Sequence, residues 1–229
     1  MSAPLPLLVA ATSRELAAGI SRLRTPVASA LLGIGRERAA RRMREVLAAG
    51  RPSRILEIGL AGGLAQDLRP GDVVVGEWVA ELGADGRAGP RLPLHPTAAS
   101  RGLAALERAG ITARLGGIVE SSRQLPGVEK REIGRATGAI AVDMETAAIR
   151  RAAEGLPHLS LRVIFDPVDE DLAVPFEAVG PTGSVRWGAL FLRLVRSPGT
   201  LRALVRDGLR SRRVFGALAR ATSVLEFVP

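Results

Sequence analysis

The stretch AVDMETAAI, residues 141–149, places two carboxylates and a thioether where a β-like run turns into a helix. Such groups can bind a ligand or carry a proton, but they also have structural uses. Asp143 can accept a hydrogen bond from a free N–H of the first helical turn, and Glu145 suits the positive end of the helix dipole. Helix capping therefore explains this stretch when it is taken alone, and the other acids of the chain decide whether it does more.

Two further acids follow apolar segments in the same manner. Asp166 ends the run LRVIFD and stands directly before Pro167, which stops regular structure, so we expect Asp166 in a loop beyond a sheet. A turn aspartate is the alternative interpretation. Glu15 comes just after the first apolar run, where the alternative is an ordinary acid in the first turn of a helix.

Glycine-rich turns follow two other apolar segments. The turn GIG, residues 33–35, precedes a helix, and a bare backbone at a helix N-terminus can hold an anion such as phosphate. A plain tight turn has the same composition. In EIGLAGGL, residues 57–64, the glycines allow a planar ligand or a neighbouring backbone to approach closely. This second turn lacks the GxGxxG pattern, so it does not predict a dinucleotide site.

The segments that must position these residues alternate between strand-like and helix-like patterns. Alternation at this spacing predicts an α/β fold in which helices cover both faces of a central sheet and ligands bind beyond the strand ends. Strands are predicted at 5–11, 27–35, 53–63, 71–82, 113–121, 139–143 and 159–166, and helices at 36–49, 97–110, near 127–137 and from 144 onward.

Composition excludes several classes of chemistry. The 229 residues are 47% hydrophobic, enough for a sizeable core, and they include no cysteine, which excludes disulfides, thiolate metal sites and cysteine nucleophiles. Only His95 and His158 occur, so a histidine-rich metal site is excluded and a Ser-His-Asp triad is disfavoured. No metal or cofactor is indicated. The N-terminus lacks a signal-peptide pattern and no apolar run reaches the roughly 18 residues of a membrane span, so we expect a cytoplasmic protein.

Positive charge is concentrated near the C-terminus. The formal net charge is +9, and residues 184–220 contain nine arginines and one acid. Two apolar runs at helical spacing, separated by Pro198-Gly199, predict a basic amphipathic extension, residues 184–229, after a main domain of residues 1–183. Such helices are typical of a membrane surface, but they can also pack on the main domain or at a subunit interface. They lack exposed stacking aromatics, so we expect no nucleic-acid binding. The excess of arginine over lysine is attributed to genomic base composition.

Taken in order along the chain, these motifs resemble the nucleoside phosphorylase and nucleosidase superfamily. The resemblance runs from about Leu7 to Asp166 and rests on VAATSRE, GIGRERAA, IGLAGGL, PGDVVV, VDMETAA and LRVIFD. The AGG turn with its following GD, the DME turn and the RVIxD strand end are specific in combination. The resemblance implies a three-layer fold with a central mixed sheet, cleavage of the N-glycosidic bond of a purine nucleoside, and a homo-oligomer.

Residue by residue, the resemblance assigns a nucleoside site to the strand ends. Glu145 matches the acid that binds the ribose hydroxyls, since a carboxylate accepts two hydrogen bonds from a diol, and Met144 matches the methionine that packs on the ribose. Asp166 matches the acid that protonates purine N7, and Glu15 matches the acid that activates water in the hydrolytic branch. Asp143 keeps its structural role.

Other positions match the family pattern less completely. Ala61, Gly62 and Phe165 are assigned to nucleoside binding. Serine often precedes the catalytic aspartate in the hydrolytic branch, so Phe165 is expected to remove a polar partner of Asp166.

The arginines that hold phosphate in the phosphorylase branch have no firm match in this chain. Hydrolysis and phosphorolysis therefore both stay open. The candidates for phosphate binding are Gly33, Gly35 and Arg36, with Arg162 in addition.

The extension narrows the resemblance to the hopanoid-associated phosphorylases. That branch shares the VDME turn, an acidic stretch with proline after the last strand, here FDPVDEDLAVP, and an arginine-rich extension with SP between helices. It implies that adenosylhopane loses adenine to leave a ribosyl or phosphoribosyl hopane, with residues 184–220 at the inner face of the cytoplasmic membrane. Two alternatives stay open. One is a soluble nucleosidase for methylthioadenosine, S-adenosylhomocysteine or futalosine, and the other is a catalytically inactive nucleoside- or membrane-binding protein.

Overall fold

The computed structural model describes residues 4–170, 180 and 199–225, and for residues 199–205 only the backbone. Eight strands and six helices form within these residues. The strands are β1 (Leu7–Ala10), β2 (Ala28–Leu31), β3 (Ile55–Gly63), β4 (Val73–Glu81), β5 (Leu92–Pro93), β6 (Ala113–Glu120), β7 (Ala139–Asp143) and β8 (His158–Asp166). The helices are α1 (Ser13–Ile20), α2 (Arg36–Ala49), α3 (Pro96–Arg108), α4 (Gly127–Thr137), α5 (Thr146–Ala152) and α6 (Gly199–Leu225).

The eight strands form one mixed sheet, and five of them close on themselves. Parallel pairing joins β3 to β8, antiparallel pairing joins β8 to β4, and parallel pairing joins β4 to β6 and β6 to β7. An antiparallel contact at Gly62 and Gly63 brings β7 back to β3. The closed part has a packed apolar interior, which includes Ala61 of β3, Ile118 of β6 and Ile164 of β8. It is therefore a filled core that holds the strand ends in fixed positions.

Helices cover the sheet on two sides. Met43 of α2 and Ile149 of α5 are buried together against β1, β2 and β3. Leu106 of α3 and Leu218 of α6 are buried with Leu161 of β8 in a second cluster, against which α1 also packs. Alternate residues of β1 belong to the two clusters, so the two groups of helices lie on opposite faces. The predicted three-layer α/β fold with a central mixed sheet is confirmed.

The helix α6 is the part of the predicted basic extension that the structure describes. Val214, Leu218 and Leu225 are buried in the main core, whereas Leu209 is 68% exposed. The first predicted amphipathic run of the extension, which contains Trp187, lies outside the described residues. The boundary between a domain of residues 1–183 and an extension of residues 184–229 stays a prediction. Among the described helices, none has the length and apolar character required to cross a membrane.

Candidate active site

A cavity of about 300 Å³ lies beyond the ends of β1, β7 and β8, beside the glycine turn of β3. Strands that end at the same edge of a sheet bring their following residues together there, as the sequence predicts. Ile34 also lines the cavity, but its predicted neighbours Gly33, Gly35 and Arg36 do not. The cavity wall gathers seven of the predicted site residues: Glu15, Ala61, Gly62, Met144, Glu145, Phe165 and Asp166.

Glu15 is both a capping residue of α1 and part of the cavity wall. Its Oε2 atom accepts hydrogen bonds from the backbone N–H and the hydroxyl of Thr12, at 2.8 and 2.7 Å, and the Glu15 N–H donates back to that hydroxyl. Its Oε1 atom accepts from the N–H of Leu60 at 2.8 Å. Burial raises the pKa of Glu15, although the hydrogen bonds from Leu60 and Thr12 oppose the shift. A fixed carboxylate with a raised pKa suits a general base.

Glu145 is held at the start of α5 by the turn that the sequence predicted as an anion site. Its Oε1 atom accepts the N–H of Gly35 at 2.8 Å. The backbone of Gly35 has a φ of +92°, a left-handed conformation that favours glycine. Burial, and then the neighbouring Asp143, raise the pKa of Glu145 well above its usual range. Met144 lines the cavity beside it.

Asp143 accepts a hydrogen bond from the first turn of α5, as predicted, although Glu145 occupies the N-cap position. The Oδ1 atom of Asp143 accepts the N–H of Thr146 at 3.3 Å and the N–H of Glu145 at 3.4 Å. The helix consequently begins at Thr146, two residues later than the sequence predicted, because Asp143 and Glu145 form the turn that precedes it.

A buried ionic network lies beneath these acids. Arg162 of β8 donates from Nε to Asp143 at 2.8 Å and from Nη2 to Glu57, and the hydroxyl of Thr146 lies within hydrogen-bond distance of both carboxylates. The Nε2 atom of His158 lies 2.8 Å from the second oxygen of Glu57. Burial alone would raise the pKa of Glu57, but Arg162 and His158 lower it to about 2. Arg162, a candidate phosphate ligand, is thus engaged with two buried carboxylates.

Asp166 has a polar partner after all, in contrast to the expectation from Phe165. The Nζ atom of Lys130, on α4, donates to Asp166 Oδ2 at 2.7 Å. Gly62 lies against both carboxylate oxygens, since a Cβ built on it would lie 3.2 Å from Oδ2 and 3.5 Å from Oδ1. Burial raises the pKa of Asp166, and the nearby Lys130 and Arg210 oppose that shift.

Three of the four predicted phosphate candidates, Gly35, Arg36 and Arg162, contact carboxylates. Arg36 pairs with Glu81 and lies 3.1 Å from Glu120, measured between Nε and Oε1. Glu120 is fully buried at the end of β6 and also accepts the N–H of Ala148 at 2.8 Å. Burial and the charge of Asp143 raise the pKa of Glu120 to about 7. The assignment of Gly33, Gly35 and Arg36 to phosphate stays a prediction, and these contacts weigh against it.

Two residues that contact the proposed acids were not predicted from the sequence. Thr12 hydrogen-bonds Glu15, and Lys130 hydrogen-bonds Asp166. A signal for Lys130 exists in the sequence, because it is the single lysine among 32 basic residues. In the described part of the chain, no group of three or more histidine, aspartate or glutamate side chains is arranged to hold a metal ion.

Comparisons with known proteins agree on one family and one fold. Residues 10–196 match the sequence model of the Phosphorylase superfamily. The 5′-methylthioadenosine/S-adenosylhomocysteine nucleosidase of Haemophilus ducreyi is 28% identical over 180 residues, which cover 72% of this chain and 78% of that protein. The nucleosidase of the same name from Actinobacillus succinogenes is 31% identical over 164 residues, 65% of this chain and 71% of that protein.

Solved structures extend the similarity to almost the whole chain. The Helicobacter pylori 5′-methylthioadenosine/S-adenosylhomocysteine nucleosidase with butyl-thio-DADMe-Immucillin-A has a TM-score of 0.70 at 15% identity, covering 98% of this chain and 99% of that one. The futalosine hydrolase of Helicobacter pylori has a TM-score of 0.64 at 17% identity, covering 72% and 89%. At these identities the structures show a shared fold.

Proposed function

The chain belongs to the phosphorylase superfamily, and on that premise we propose that it cleaves the N-glycosidic bond of an adenosine modified at its 5′ carbon. The observation that carries the proposal is the single cavity in which Glu15, Met144, Glu145 and Asp166 meet from three distant segments. The relatives named above act on 5′-methylthioadenosine and S-adenosylhomocysteine, or on futalosine. They support this class of reaction here.

In the proposed reaction, Asp166 gives a proton to purine N7 while the C1′–N9 bond breaks and its electron pair passes to the base. Adenine then leaves as a neutral molecule, and such proton transfer contributes roughly 10²–10⁴-fold to the rate. Glu15 accepts a proton from the attacking water, whose oxygen forms the new bond to C1′. Glu145 binds the ribose hydroxyls and Met144 packs on the sugar. Nearby carboxylates stabilise the positive charge that develops on the ribose.

Water is the acceptor in this proposal. Among the residues that the structure describes, the cavity wall contains two cations, and both are paired, Lys130 with Asp166 and Arg123 with Glu129. A phosphate dianion would therefore meet mainly negative charge. The carboxylates of the wall are those of Glu15, Asp143, Glu145 and Asp166.

The finer assignment concerns the 5′ substituent. The related 5′-methylthioadenosine/S-adenosylhomocysteine nucleosidases favour a small thioether at the 5′ carbon. The arginine-rich residues 184–220, together with the exposed Leu209, favour a second candidate, adenosylhopane, presented by a membrane surface. In that case the extension would hold the protein at the inner face of the cytoplasmic membrane. That location and a homo-oligomeric state remain predictions.

Adenine release tests the proposal. It should be measured for methylthioadenosine, S-adenosylhomocysteine and adenosylhopane in mixed micelles, with and without phosphate. We expect phosphate-independent release that falls by about 10²-fold or more in Asp166→Asn. Asp169→Asn is the matched control, because Asp169 lies exposed on the same loop and pairs with Arg131.

Each other outcome has a defined meaning. Release that requires phosphate would establish a phosphorylase and overturn the assignment of water. No release from any of the three nucleosides would overturn the proposed function. The substrate with the highest kcat/KM identifies the 5′ substituent.

A further inference from the structure

Lys130 is the one lysine of the chain, and it lies beside the proposed acid. Its side chain is 1% exposed. Three acceptors surround the ammonium group: Asp166 Oδ2 at 2.7 Å, the carbonyl oxygen of Pro167 at 2.6 Å and that of Glu170 at 2.7 Å. An ammonium group has three N–H donors, so its hydrogen-bonding capacity is filled.

The geometry accounts for a lysine in a chain whose other basic residues are arginine. Base composition, which we invoked for the arginine excess, predicts arginine at this position too. A guanidinium is a planar fork with five donors, whereas an ammonium is a compact charge whose donors rotate freely. Three oxygens that converge on one buried point fit the ammonium.

Further contacts fix the segment that follows Asp166. The carboxylate of Glu170 accepts a hydrogen bond from Arg210 of α6 at 2.6 Å. Asp169 pairs with Arg131, the next residue of α4. The loop is therefore attached to α4 and α6, and Lys130 is the contact that reaches the carboxylate of Asp166.

We propose that Lys130 is the positioning residue that holds Asp166 Oδ2 and leaves Oδ1 to donate the proton to the purine. The inference rests on the proposed function. When the Oδ1–H bond breaks and the N7–H bond forms, the ammonium neutralises the charge that remains on the carboxylate. Lys130 and Arg210 are the cations that lower the pKa of Asp166, whereas burial raises it. Without Lys130 the effect of burial outweighs that of Arg210, so the pKa of Asp166 rises and the acid gives up its proton less readily.

The single lysine allows a direct test that does not depend on activity. Feeding lysine labelled with nitrogen-15 on its side chain gives one buried ammonium signal in the NMR spectrum of the full chain. We expect slow proton exchange for this signal, because the group is buried and fully hydrogen-bonded. We also expect a clear change in its shift in Asp166→Asn. A signal that exchanges rapidly and ignores Asp166→Asn overturns the proposal, even if every Lys130 variant fails to fold.

Kinetics separate positioning from a purely structural role. In Lys130→Met we expect kcat for the adenine nucleoside to fall about 10- to 100-fold, part of the contribution of the acid, with KM changed less than about threefold. The loss should shrink to less than about threefold with 4-nitrophenyl riboside, whose leaving group needs no proton. Lys130→Arg should not restore kcat. Arg131→Met, which removes the neighbouring exposed ion pair, is the control and should remain near wild type.

The outcomes distinguish the two proposals. A wild-type chain that releases no adenine overturns the proposed function. An active wild type with an equally active Lys130→Met overturns the role of Lys130 alone. Equal losses on both substrates also overturn it, because they indicate general damage to the site.

Discussion

Structural roles and proposed chemical roles belong to the same side chains at this site. Glu15 completes a capping box and also lines the cavity, and Asp143 accepts the N–H of Thr146 at the start of α5 while it pairs with Arg162. Helix N-termini and strand ends meet at one edge of an α/β sheet, so a residue at the start of a helix is already near a ligand. This is why a capping or turn role explained each acid in isolation, and why only their combination indicated a nucleoside site.

The proposed ribose-binding role of Glu145 predicts selectivity for the 2′ hydroxyl. Glutamine retains an oxygen for the N–H of Gly35, so Glu145→Gln should keep the local fold. Hydrogen bonds to charged groups contribute about 1.5–3 kcal/mol, so kcat/KM for a ribonucleoside should fall about 10- to 100-fold. The 2′-deoxy analogue should lose less. A variant that keeps the wild-type ratio of the two kcat/KM values would show that Glu145 does not bind this hydroxyl.

The proposed role of Glu15 as general base predicts how kcat/KM falls at low pH, the acid limb of its pH profile. The carboxylate must be ionised to accept a proton, and burial raises its pKa above the usual 4.5. We therefore expect kcat/KM to fall as the pH drops, with an apparent pKa above that value. Thr12→Val removes the hydroxyl that stabilises the ionised form, at 2.7 Å, so it should shift this limb to higher pH. A limb that stays in place or moves down contradicts the role of Glu15 as the base.

At the scale of the elements, the sequence predicts the bounds of a helix or strand correctly where glycine marks a boundary. Helix α2 and strand β7 have the predicted bounds, since Gly35 and Gly50 flank the helix and Gly138 precedes the strand. The strand predicted at 27–35 is shorter, because Gly33 and Gly35 have positive φ and form a turn.

The closure of the sheet rests on a two-residue contact at Gly62 and Gly63 that leaves no periodic signal in the sequence. Lys130 lies 36 residues from Asp166, so only the fold joins them.

The glycine turn of β3 gives a prediction for that element. In Gly62→Ala, the new Cβ would lie 3.1 Å from Val142 and 3.2 Å from Asp166 Oδ2. We expect kcat/KM to fall about 10- to 100-fold, because a displaced acid no longer meets its proton acceptor. Gly216→Ala on α6 is the control. Its Cβ has no neighbour within 4 Å among the described residues, so it should preserve activity and add about 0.5–1 kcal/mol to the free energy of unfolding. An active Gly62→Ala would remove this turn from the site.

At the scale of the whole molecule, α6 belongs to the core and is not a detachable anchor. Leu218→Ala should therefore lower the free energy of unfolding by about 2–5 kcal/mol, because Leu218 is fully buried against the sheet. Leu209→Ala, on the exposed side of the same helix, should change it by less than about 0.5 kcal/mol. Urea unfolding measures both. Equal effects would mean that α6 does not contribute to the core.

This packing also decides how membrane binding can be tested. Deleting residues 184–229 would remove Val214, Leu218 and Leu225 from the core, so loss of vesicle binding could follow from unfolding. The double variant Leu209→Glu with Arg212→Glu places negative charge on the exposed side of α6 and leaves its core contacts in place. If the extension binds a membrane through α6, this variant should no longer cosediment with anionic vesicles while it retains adenine release.

The buried carboxylates make the stability of the whole molecule depend on pH, and Glu120 gives the sharpest test. Its pKa is about 7 in the folded chain and near 4.5 when exposed. Between these values the folded state binds more protons than the unfolded state, so its stability rises as the pH falls from 7 towards 4.5. A shift of this size corresponds to about 3 kcal/mol.

Glu120→Gln removes this titration and retains an oxygen for the N–H of Ala148. Glu15 and Asp166, whose pKa values burial also raises, remain in both proteins, so the difference between variant and wild type isolates Glu120. We expect the wild type to gain about 2.5 kcal/mol, most of the full shift, relative to Glu120→Gln when urea unfolding is measured at pH 5 instead of pH 8. If the free energies of unfolding of the two proteins instead change with pH in parallel, Glu120 titrates as an exposed acid does. The ionic contacts of Arg36 then compensate for the burial of Glu120.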